Sequence, residues 1–336
     1  MKSKKTLQDV AAAAGVSKMT ASRALRGDKD VSSTNIQKVR KAAREIGYFG
    51  NHLAASLSSK RSDLIGVVVP SLSNIVFPQV MSGVTNALVG TGFQPVFGVT
   101  DYDPNKENEI LRNMLSWRPG GLIVTGLDQP EETRKLLLDA DVPIVQIMDV
   151  DGTPVDSCVG FSHAKAGQDM ATAILAAGRK RIAYAGCNID KDTRAQKRRR
   201  GFVDTLNQHG QTLVTEKIAD GLSSVAAGRQ LAKDLSEHHP DLDCIYFSND
   251  DLAIGGLSYC IDAGIAVPKT MVLVGFNGLE LLDAFPGKVV TSRTSRQEIG
   301  ETAANLILAS LKGARSADPV TTVIEPEVLL GDLKPK

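Results

Sequence analysis

The sequence lacks the motifs that mark common enzyme classes and secreted proteins. Its four cysteines are widely spaced and form no CxxC pair, which argues against a zinc or redox site and predicts free thiols. GxGxxG, GxxxxGKS/T, HExxH and GxSxG are all absent, so we expect no enzyme, no cofactor and no metal. The first ten residues, MKSKKTLQDV, have no apolar signal core, which predicts a cytoplasmic protein.

A long stretch without charge also fails to indicate a membrane span. Residues 64–100 contain no charged side chain, but Pro70, Pro78 and Pro95 interrupt them. No window therefore supplies the ~20 mostly apolar residues that cross a bilayer. A buried strand, helix and strand explain the stretch better.

Acidic residues are scarce at one end of the chain. The segment AGVSKMTASRALRG, residues 14–27, has three Lys/Arg and no acid. Residues 1–62 carry thirteen Lys/Arg and four Asp/Glu, a net charge of +9, and the remaining 274 residues carry −8. This split indicates a basic module that binds a polyanion, joined to a mildly acidic body. The alternative is a solvated basic terminus.

Helical spacing of apolar residues predicts three short helices in the first fifty residues, capped at Thr6, at Ser17 and at Ser32 or Ser33. Gly15 breaks the first helix and starts a turn. Two short helices joined by a turn form a helix-turn-helix, whose second helix enters the major groove of DNA. The residues predicted to face the core of this head include Leu7, Val10, Ala14, Val16, Ala21, Leu25, Ile36, Val39, Ala43 and Ile46.

Exposed residues of the second helix and nearby hydroxyls are predicted to contact DNA. Lys18 and Met19 come first on this helix, where lysine can bond guanine and methionine can pack on a thymine methyl. The alternative for Lys18 is a contact to phosphate alone. The predicted contacts of the head are Thr6, Ser17, Lys18, Met19, Thr20, Ser22, Arg23, Arg26 and Ser32.

Two segments, TLQDVAAAAGVSKMTASRALRGDKDVS and IGYFGNHLAASLSSKRSDLIGVVVP, resemble the head of the lac/galactose repressor family of bacterial transcription regulators. The resemblance continues to the C-terminus. It implies a hinge helix on the operator, with Asn51 and His52 as DNA contacts and Leu57 as a minor-groove wedge that kinks the duplex. Without the family, Leu53 and Leu57 are an i,i+4 apolar pair on a linker helix.

From Asp63 onward, β-rich runs alternate with helical patterns, which predicts parallel sheets covered on both faces. The strand candidates are residues 64–70, 93–99, 121–126, 142–148, 181–186, 244–248 and 271–276. The expected fold class is α/β. A three-helix head and hinge helix join a two-subdomain core of doubly wound parallel sheets, which the resemblance makes periplasmic-binding-protein-like.

The expected domain limits follow from these patterns and from the resemblance. The head covers residues 1–50, the hinge 51–62, and the effector-binding and dimerisation core 63–336. Within the core, the N-subdomain covers about 63–161 and 292–322, and the C-subdomain about 162–291 and 323–336. The C-terminus, LLGDLKPK, has no leucine heptads, which predicts a homodimer rather than a tetramer on a palindromic operator.

Ligands of open α/β sheets bind beyond the carboxyl ends of the strands. In this sequence those ends carry hydrogen-bonding side chains, as a polyol ligand requires, and the resemblance implies a small effector there. The predicted effector-binding residues are Ser71, Ser73, Asn74, Phe77, Thr100, Thr125, Asp149, Arg194, Arg198, Asn249, Asp250 and Asn277.

The segment TRAQKRRRGF, residues 193–202, narrows the effector. Arg194, Arg198 and Phe202 are spaced i, i+4, i+8 and share one helix face, so we expect both arginines to follow Phe202 inward. Lys197, Arg199 and Arg200 are then expected in solvent. The alternative is that the basic run 197–200 is a second patch that binds nucleic acid. Asp149 and Asp250 are possible protein partners of Arg198.

Arg198, three residues before Gly201, matches the ligand-binding arginine of the family. Asn277 stands where many members have an acid. The extra cation and missing acid favour an anionic ligand. The strings VSKMTASRALR, PSLSNIVF, MLSWRPGGLIVT and SNDDLAIG look most like the gluconate-utilisation repressor subgroup, which implies gluconate or a related sugar acid.

The resulting hypothesis is a transcriptional repressor that a gluconate-like sugar acid releases from its operator. The alternative within the fold is an effector-dependent activator or dual regulator that responds to a neutral or phosphorylated sugar. A sugar-acid transport component would predict an export signal and no basic head. An enzyme that uses the cleft would turn over candidate sugar acids.

Overall fold

The computed structural model describes residues 5–26, 28, 30–48, 61–314, 316 and 318–334, with the side chain of Arg26 left out. The chain divides into two compact units, Met1–Ser62 and Asp63–Lys336. Most of the hinge expected at 51–62, residues 51–60, lies outside the described residues.

The head contains the three predicted helices, α1 Leu7–Ala14, α2 Lys18–Arg26 and α3 Ser33–Glu45. Thr6 and Asp9 cap each other's backbone N–H groups at the start of α1, and Gly15 ends it in the left-handed region at φ 66°. The Thr20 backbone N–H donates to Ser17 Oγ over 3.0 Å, which caps α2. The buried residues that join the helices are Val10, Ala11, Ala21, Ala24, Val39 and Ala43.

The larger unit contains two six-stranded sheets. The first has the strand order β11-β5-β4-β3-β1-β2 and is parallel throughout. Its strands are β1 Leu64–Val69, β2 Gln94–Val99, β3 Gly121–Thr125, β4 Ile144–Ile147, β5 Ser157–Gly160 and β11 Val320–Val323. This sheet forms the N-subdomain.

The second sheet forms the C-subdomain, with the order β12-β10-β9-β8-β6-β7. The edge strand β12 is antiparallel to β10, and the other pairs are parallel. The strands are β6 Ile182–Cys187, β7 Thr215–Ala219, β8 Cys244–Phe247, β9 Val272–Val274, β10 Val289–Arg293 and β12 Glu327–Leu329.

Eight α-helices flank these sheets in the described part of the core. They are α4 Val76–Leu88, α5 Pro104–Ser116, α6 Glu131–Leu138, α7 His163–Ala176, α8 Thr193–Gln208, α9 Val225–His238, α10 Asp250–Asp262 and α11 Arg296–Leu311, with a 3-10 helix at Glu280–Ala284. The chain passes between the subdomains after β5, after β10 and after β11. This crossing pattern places a cleft at the carboxyl ends of both sheets.

The α/β class and the seven predicted strands are confirmed, and five strands went unpredicted. Those five are short, and several are exposed: in β7 and β11 no residue is buried. A strand without a buried face shows neither an apolar run nor a clean alternation, so the sequence gives no signal for it.

Close helix packing fixes the orientation of α8. A Cβ atom at Gly201 would lie 2.1 Å from the Ala164 carbonyl oxygen, and one at Gly167 would lie 2.0 Å from that of Arg198. Only glycine permits this approach of α7 and α8, which holds the Arg198 backbone against α7.

Two further predictions were that the cysteines are free thiols and that residues 64–100 do not span a membrane. Cys158, Cys187, Cys244 and Cys260 are all free thiols. Among the helices in the described ranges, none is long and apolar enough to span a bilayer.

Candidate functional site

The outer side of α2 presents the residues predicted to read DNA. The Lys18 side chain is exposed, and Met19 is 70% exposed, which is unusual for a large apolar residue. Arg23 is also exposed and forms an ion pair of 2.9 Å with Asp30. Thr6, Ser17 and Ser32 accept hydrogen bonds as helix caps.

The remaining predicted DNA contacts divide into two groups. Thr20 and Ser22 are half-buried on α2, and the Thr20 hydroxyl lies 2.9 Å from Ser17 Oγ. The Arg26 side chain and the residues Asn51, His52 and Leu57 lie outside the described part of the structure. The expected wedge of Leu57 therefore stays a prediction.

Lys18→Ala is expected to change the preferred operator sequence, because Lys18 is exposed at the start of the helix that is predicted to enter the major groove. Selection of binding sites from random DNA, with wild type and variant in parallel, measures this. A contact to phosphate alone predicts weaker binding to every sequence with the same preferred site.

The cleft between the subdomains holds a cavity, called here the main cavity. Its wall combines strand ends and loops from both sheets with the inner face of α8. The residues that line it include Ser71, Ser73, Asn74, Phe77, Asp101, Tyr102, His163, Asn188, Lys191, Asp192, Arg194, Arg198, Ser223, Asn249, Asp251, Phe276 and Asn277. Hydroxyl and amide groups surround aromatic rings, a lining that suits a small polar ligand with an apolar face.

Arg198 lies at the base of the main cavity, 7% exposed. One guanidinium nitrogen donates to the Ser248 carbonyl oxygen over 2.9 Å, and another lies 2.9 Å from His163 Nδ1. The guanidinium carbon lies 4.0 Å from the centre of the Phe276 ring. No acidic side chain of the described residues forms an ion pair with Arg198, so neither Asp149 nor Asp250 is its partner.

His163 is neutral in this arrangement. Its Nε2 atom donates to the Met148 carbonyl oxygen over 2.7 Å, which leaves Nδ1 as an acceptor for Arg198. Burial holds the pKa of His163 well below its usual value, and the positive charge of Arg198 lowers it further. His163 thus orients Arg198 without neutralising its charge.

Arg194 lies one turn before Arg198 on the same helix face, as the i, i+4 spacing predicts. Its side chain is 11% exposed, and its Nε atom is 3.6 Å from Asp192 Oδ1. The guanidinium carbon lies 5.4 Å from the centre of the Phe77 ring. Ring and carboxylate hold Arg194 at the cavity wall.

Four of the twelve predicted effector residues lie outside the main cavity. Thr100 is 3% exposed and lines a neighbouring cavity, as does Thr125, whose hydroxyl donates to the Val68 carbonyl oxygen over 2.9 Å. Asp149 is fully buried beside Lys197. Asp250 accepts hydrogen bonds from the Leu279 N–H and the Thr291 hydroxyl, at 2.8 and 2.7 Å.

Asp251, rather than its neighbour Asp250, reaches the cavity. The two residues open α10, where consecutive side chains point about 100° apart, so only one can face the ligand. The sequence pattern SNDD did not distinguish them. His163 and Ser223 were also missed, although each closely follows a strand in the chain.

Lys197 corrects the expectation that it points into solvent. Its Nζ atom lies 2.6 Å from Asp149 Oδ2, 2.8 Å from Asp128 Oδ2 and 3.1 Å from the Asp151 carbonyl oxygen. All three acceptors belong to the N-subdomain, whereas Lys197 is on a C-subdomain helix. Lys197 therefore fastens the two subdomains together. By contrast, Arg199 pairs with Glu216, and Arg200 is 84% exposed.

The buried Asp250 carboxyl predicts a pH dependence of stability. Burial raises its pKa from 3.8 to about 6. Between these values the folded chain binds a proton that the unfolded chain has released, so stability falls as pH rises through about 6. Compared with Asp250→Asn, which cannot titrate, wild type should lose about 3 kcal/mol of unfolding free energy between pH 4 and pH 7.

Denaturant unfolding of both proteins, followed by the fluorescence of Trp117, the single tryptophan, measures this difference. A difference between wild type and variant that stays constant with pH would contradict the assignment.

A helix-turn-helix head joined to a two-lobed core with a polar cleft defines a class of DNA-binding transcription regulators. The family profile of bacterial regulatory proteins, lacI family, matches residues 6–51. The profile of periplasmic binding proteins and the sugar binding domain of the LacI family matches residues 62–325. The chain therefore belongs to the LacI family.

Individual proteins that resemble this chain are also transcriptional regulators. The chain is 38% identical to the HTH-type transcriptional regulator GntR of Pseudomonas aeruginosa, over 93% of this chain and 91% of that protein. It is 32% identical to the HTH-type transcriptional regulator IdnR of Escherichia coli, over 91% and 92% of the two chains. A LacI-family transcriptional regulator from Silicibacter pomeroyi has a crystal structure with a TM-score of 0.93, 45% identity and 98% coverage of both chains. The chain is a DNA-binding transcriptional regulator, not an enzyme.

Proposed function

We propose that this regulator is a cytoplasmic, homodimeric repressor of a palindromic operator, and that a gluconate-like sugar acid in the main cavity releases it from DNA. The head supports operator binding through the exposed side of α2. The core supports effector binding through the main cavity. The sequence resemblance to the gluconate-utilisation repressor subgroup supports the choice of effector.

The unneutralised charge of Arg198 carries the proposal. Arg198 is 7% exposed, and its guanidinium contacts a neutral imidazole, a carbonyl oxygen and an aromatic ring. None of these groups carries a negative charge that would neutralise it. Burial of such a charge costs free energy unless an anion accompanies it. A carboxylate can accept two parallel hydrogen bonds from a guanidinium, which makes it a suitable partner.

The rest of the cavity suits the hydroxyl groups of a sugar acid. Asn277 and Asn249 present neutral amides, whereas Asp251 can accept hydrogen bonds from hydroxyls. Two other carboxylates in the wall are already engaged, since Asp101 pairs with Lys106 and Asp192 with Arg194. The ligand implied by these groups has an anionic end at Arg198 and a hydroxylated chain.

Release follows in this proposal from movement of the subdomains. The main cavity takes residues from both of them, so a ligand that contacts both favours one relative arrangement over others. The N-subdomain follows the hinge in the chain, so a changed arrangement of the subdomains alters the hinge that leads to the head, and operator affinity falls.

A thermal-shift screen tests the effector. Gluconate should raise the melting temperature, because a ligand that binds only the folded chain stabilises it. Glucose and sorbitol are matched controls that keep the hydroxyls and lack the carboxylate. A rise with these neutral compounds and none with sugar acids would overturn the proposal.

A further inference from the structure

A second cavity, called here the side cavity, lies next to the main cavity. It is formed at the carboxyl ends of β1, β2 and β3, where Val69, Thr100 and Thr125 line it. Tyr102, Lys191 and Arg194 line both cavities. The two spaces are therefore neighbours with a wall made partly of the Tyr102 side chain.

The side cavity contains polar groups whose hydrogen bonding is incomplete. Glu107 Oε1 is buried and has no hydrogen-bond partner among the described residues. A buried carboxylate oxygen without a donor is rare and calls for an explanation. Arg194 also faces this space, and its ion pair there is the one with Asp192 at 3.6 Å.

These groups match a hydroxylated molecule. A hydroxyl can donate to Glu107 and accept from Arg194 at the same time. Thr100 adds a further hydroxyl to the lining. A bare anion would meet the carboxylate of Glu107, and an apolar group would leave its Oε1 atom without a donor.

Tyr102, one of the three residues that line both cavities, lies on a tight turn. Asp101 and Tyr102 have left-handed backbones, with φ 54° and φ 60°, which residues with a Cβ seldom adopt. The turn follows β2 directly and presents the tyrosine between the two cavities.

We propose that the side cavity is a second polyol subsite of the effector site, and that Tyr102 closes it and so limits the effector to a single sugar unit. The proposal rests on the proposed function, because a ligand reaches the side cavity by extending from the main cavity. Removal of the tyrosine ring joins the two spaces and admits an effector that carries one more sugar unit.

The test compares gluconate with lactobionate, which is gluconate with one galactosyl unit attached. Tyr102→Gly removes the wall, and glycine tolerates the φ of 60° at this position. Tyr102→Phe is the matched control because it keeps the ring. Isothermal titration of the full-length proteins gives the affinity ratio of the two acids.

Wild type and Tyr102→Phe should bind lactobionate at least about tenfold more weakly than gluconate. In Tyr102→Gly, the ratio of the gluconate affinity to the lactobionate affinity should fall about tenfold or more. Addition of Glu107→Gln to the glycine variant should weaken its affinity for lactobionate about tenfold, which corresponds to the loss of a hydrogen bond to a charged group. Its affinity for gluconate should change less than about threefold. An unchanged ratio in the glycine variant, or equal binding of both acids by wild type, would overturn the subsite.

Failure of the proposed function gives a different result. If wild type binds neither acid, the proposed gluconate-like effector is wrong. Galactose and lactose, which also differ by one sugar unit, then replace the acids in the same variants. A higher affinity for lactose relative to galactose in Tyr102→Gly alone supports the subsite. If no variant shows this increase, the subsite is overturned.

Discussion

Replacement of Arg198 by alanine is expected to lower the affinity for the sugar-acid effector by tens to thousands of fold, or about 2–5 kcal/mol. The guanidinium is buried in the main cavity with a neutral imidazole and a carbonyl as its hydrogen-bond partners. Without it, the effector carboxylate would lose the buried cation beside Phe276, and Arg194, already paired with Asp192, would replace it only in part.

The same variant should retain operator binding in the absence of effector. The head has its own core and is a separate compact unit, so its fold does not depend on Arg198. The measurements are titration calorimetry with gluconate and operator binding without it. Normal effector binding by the variant would show that Arg198 is structural, and loss of operator binding would show that it supports the fold.

Two variants of the same helix serve as controls for Arg198. Arg200→Ala removes a cation that is 84% exposed and should leave effector affinity unchanged. Arg194→Ala should give a weaker form of the Arg198 phenotype, since Arg194 faces the cavity but is already paired with Asp192.

Lys197→Met is expected to lower the free energy of unfolding by about 3 kcal/mol, because it leaves a buried carboxylate unpaired. Asp149 is 0% exposed, and with Lys197 removed its remaining hydrogen bond is the one from the Asp151 N–H at 2.9 Å. Burial already raises the pKa of Asp149 even with the lysine present. The matched control Arg200→Met should change stability by less than about 0.5 kcal/mol.

A second substitution separates charge burial from loss of packing. Asp149→Asn in the Lys197→Met background removes the unpaired charge and should restore most of the lost stability, to within about 1 kcal/mol of wild type. Denaturant unfolding of the four proteins of this cycle measures the coupling. If the double variant is less stable than Lys197→Met alone, the pair does not act as described.

Much of the fold followed from local pattern. The head was predictable because each cap, turn glycine and apolar position lies within a few residues of the others, as Thr6, Gly15 and Ser17 illustrate. The inward position of Arg198 was predictable for the same reason, since the 3.6-residue helical period ties it to Phe202, which is fully buried.

The errors concern contacts between distant parts of the chain. Lys197 was expected in solvent because it lies off the helix face that Arg198 shares with Phe202, but loops 46–69 residues earlier supply its three acceptors. The choice between Asp250 and Asp251 depends on how α10 is rotated against its sheet, which no local pattern records. Thr100 and Thr125 were correctly placed at strand ends, but they line the side cavity and not the main cavity.

Fluorescence anisotropy of a labelled operator during gluconate titration measures whether gluconate acts through Arg198 to release the repressor from DNA. The operator comes from selection with the wild-type protein, and glucose serves as the neutral control. We expect gluconate to release the operator from wild type, and Arg198→Ala to stay bound over the same concentration range. Retention of the operator by wild type at saturating gluconate, or equal release of the Arg198 variant, would contradict it.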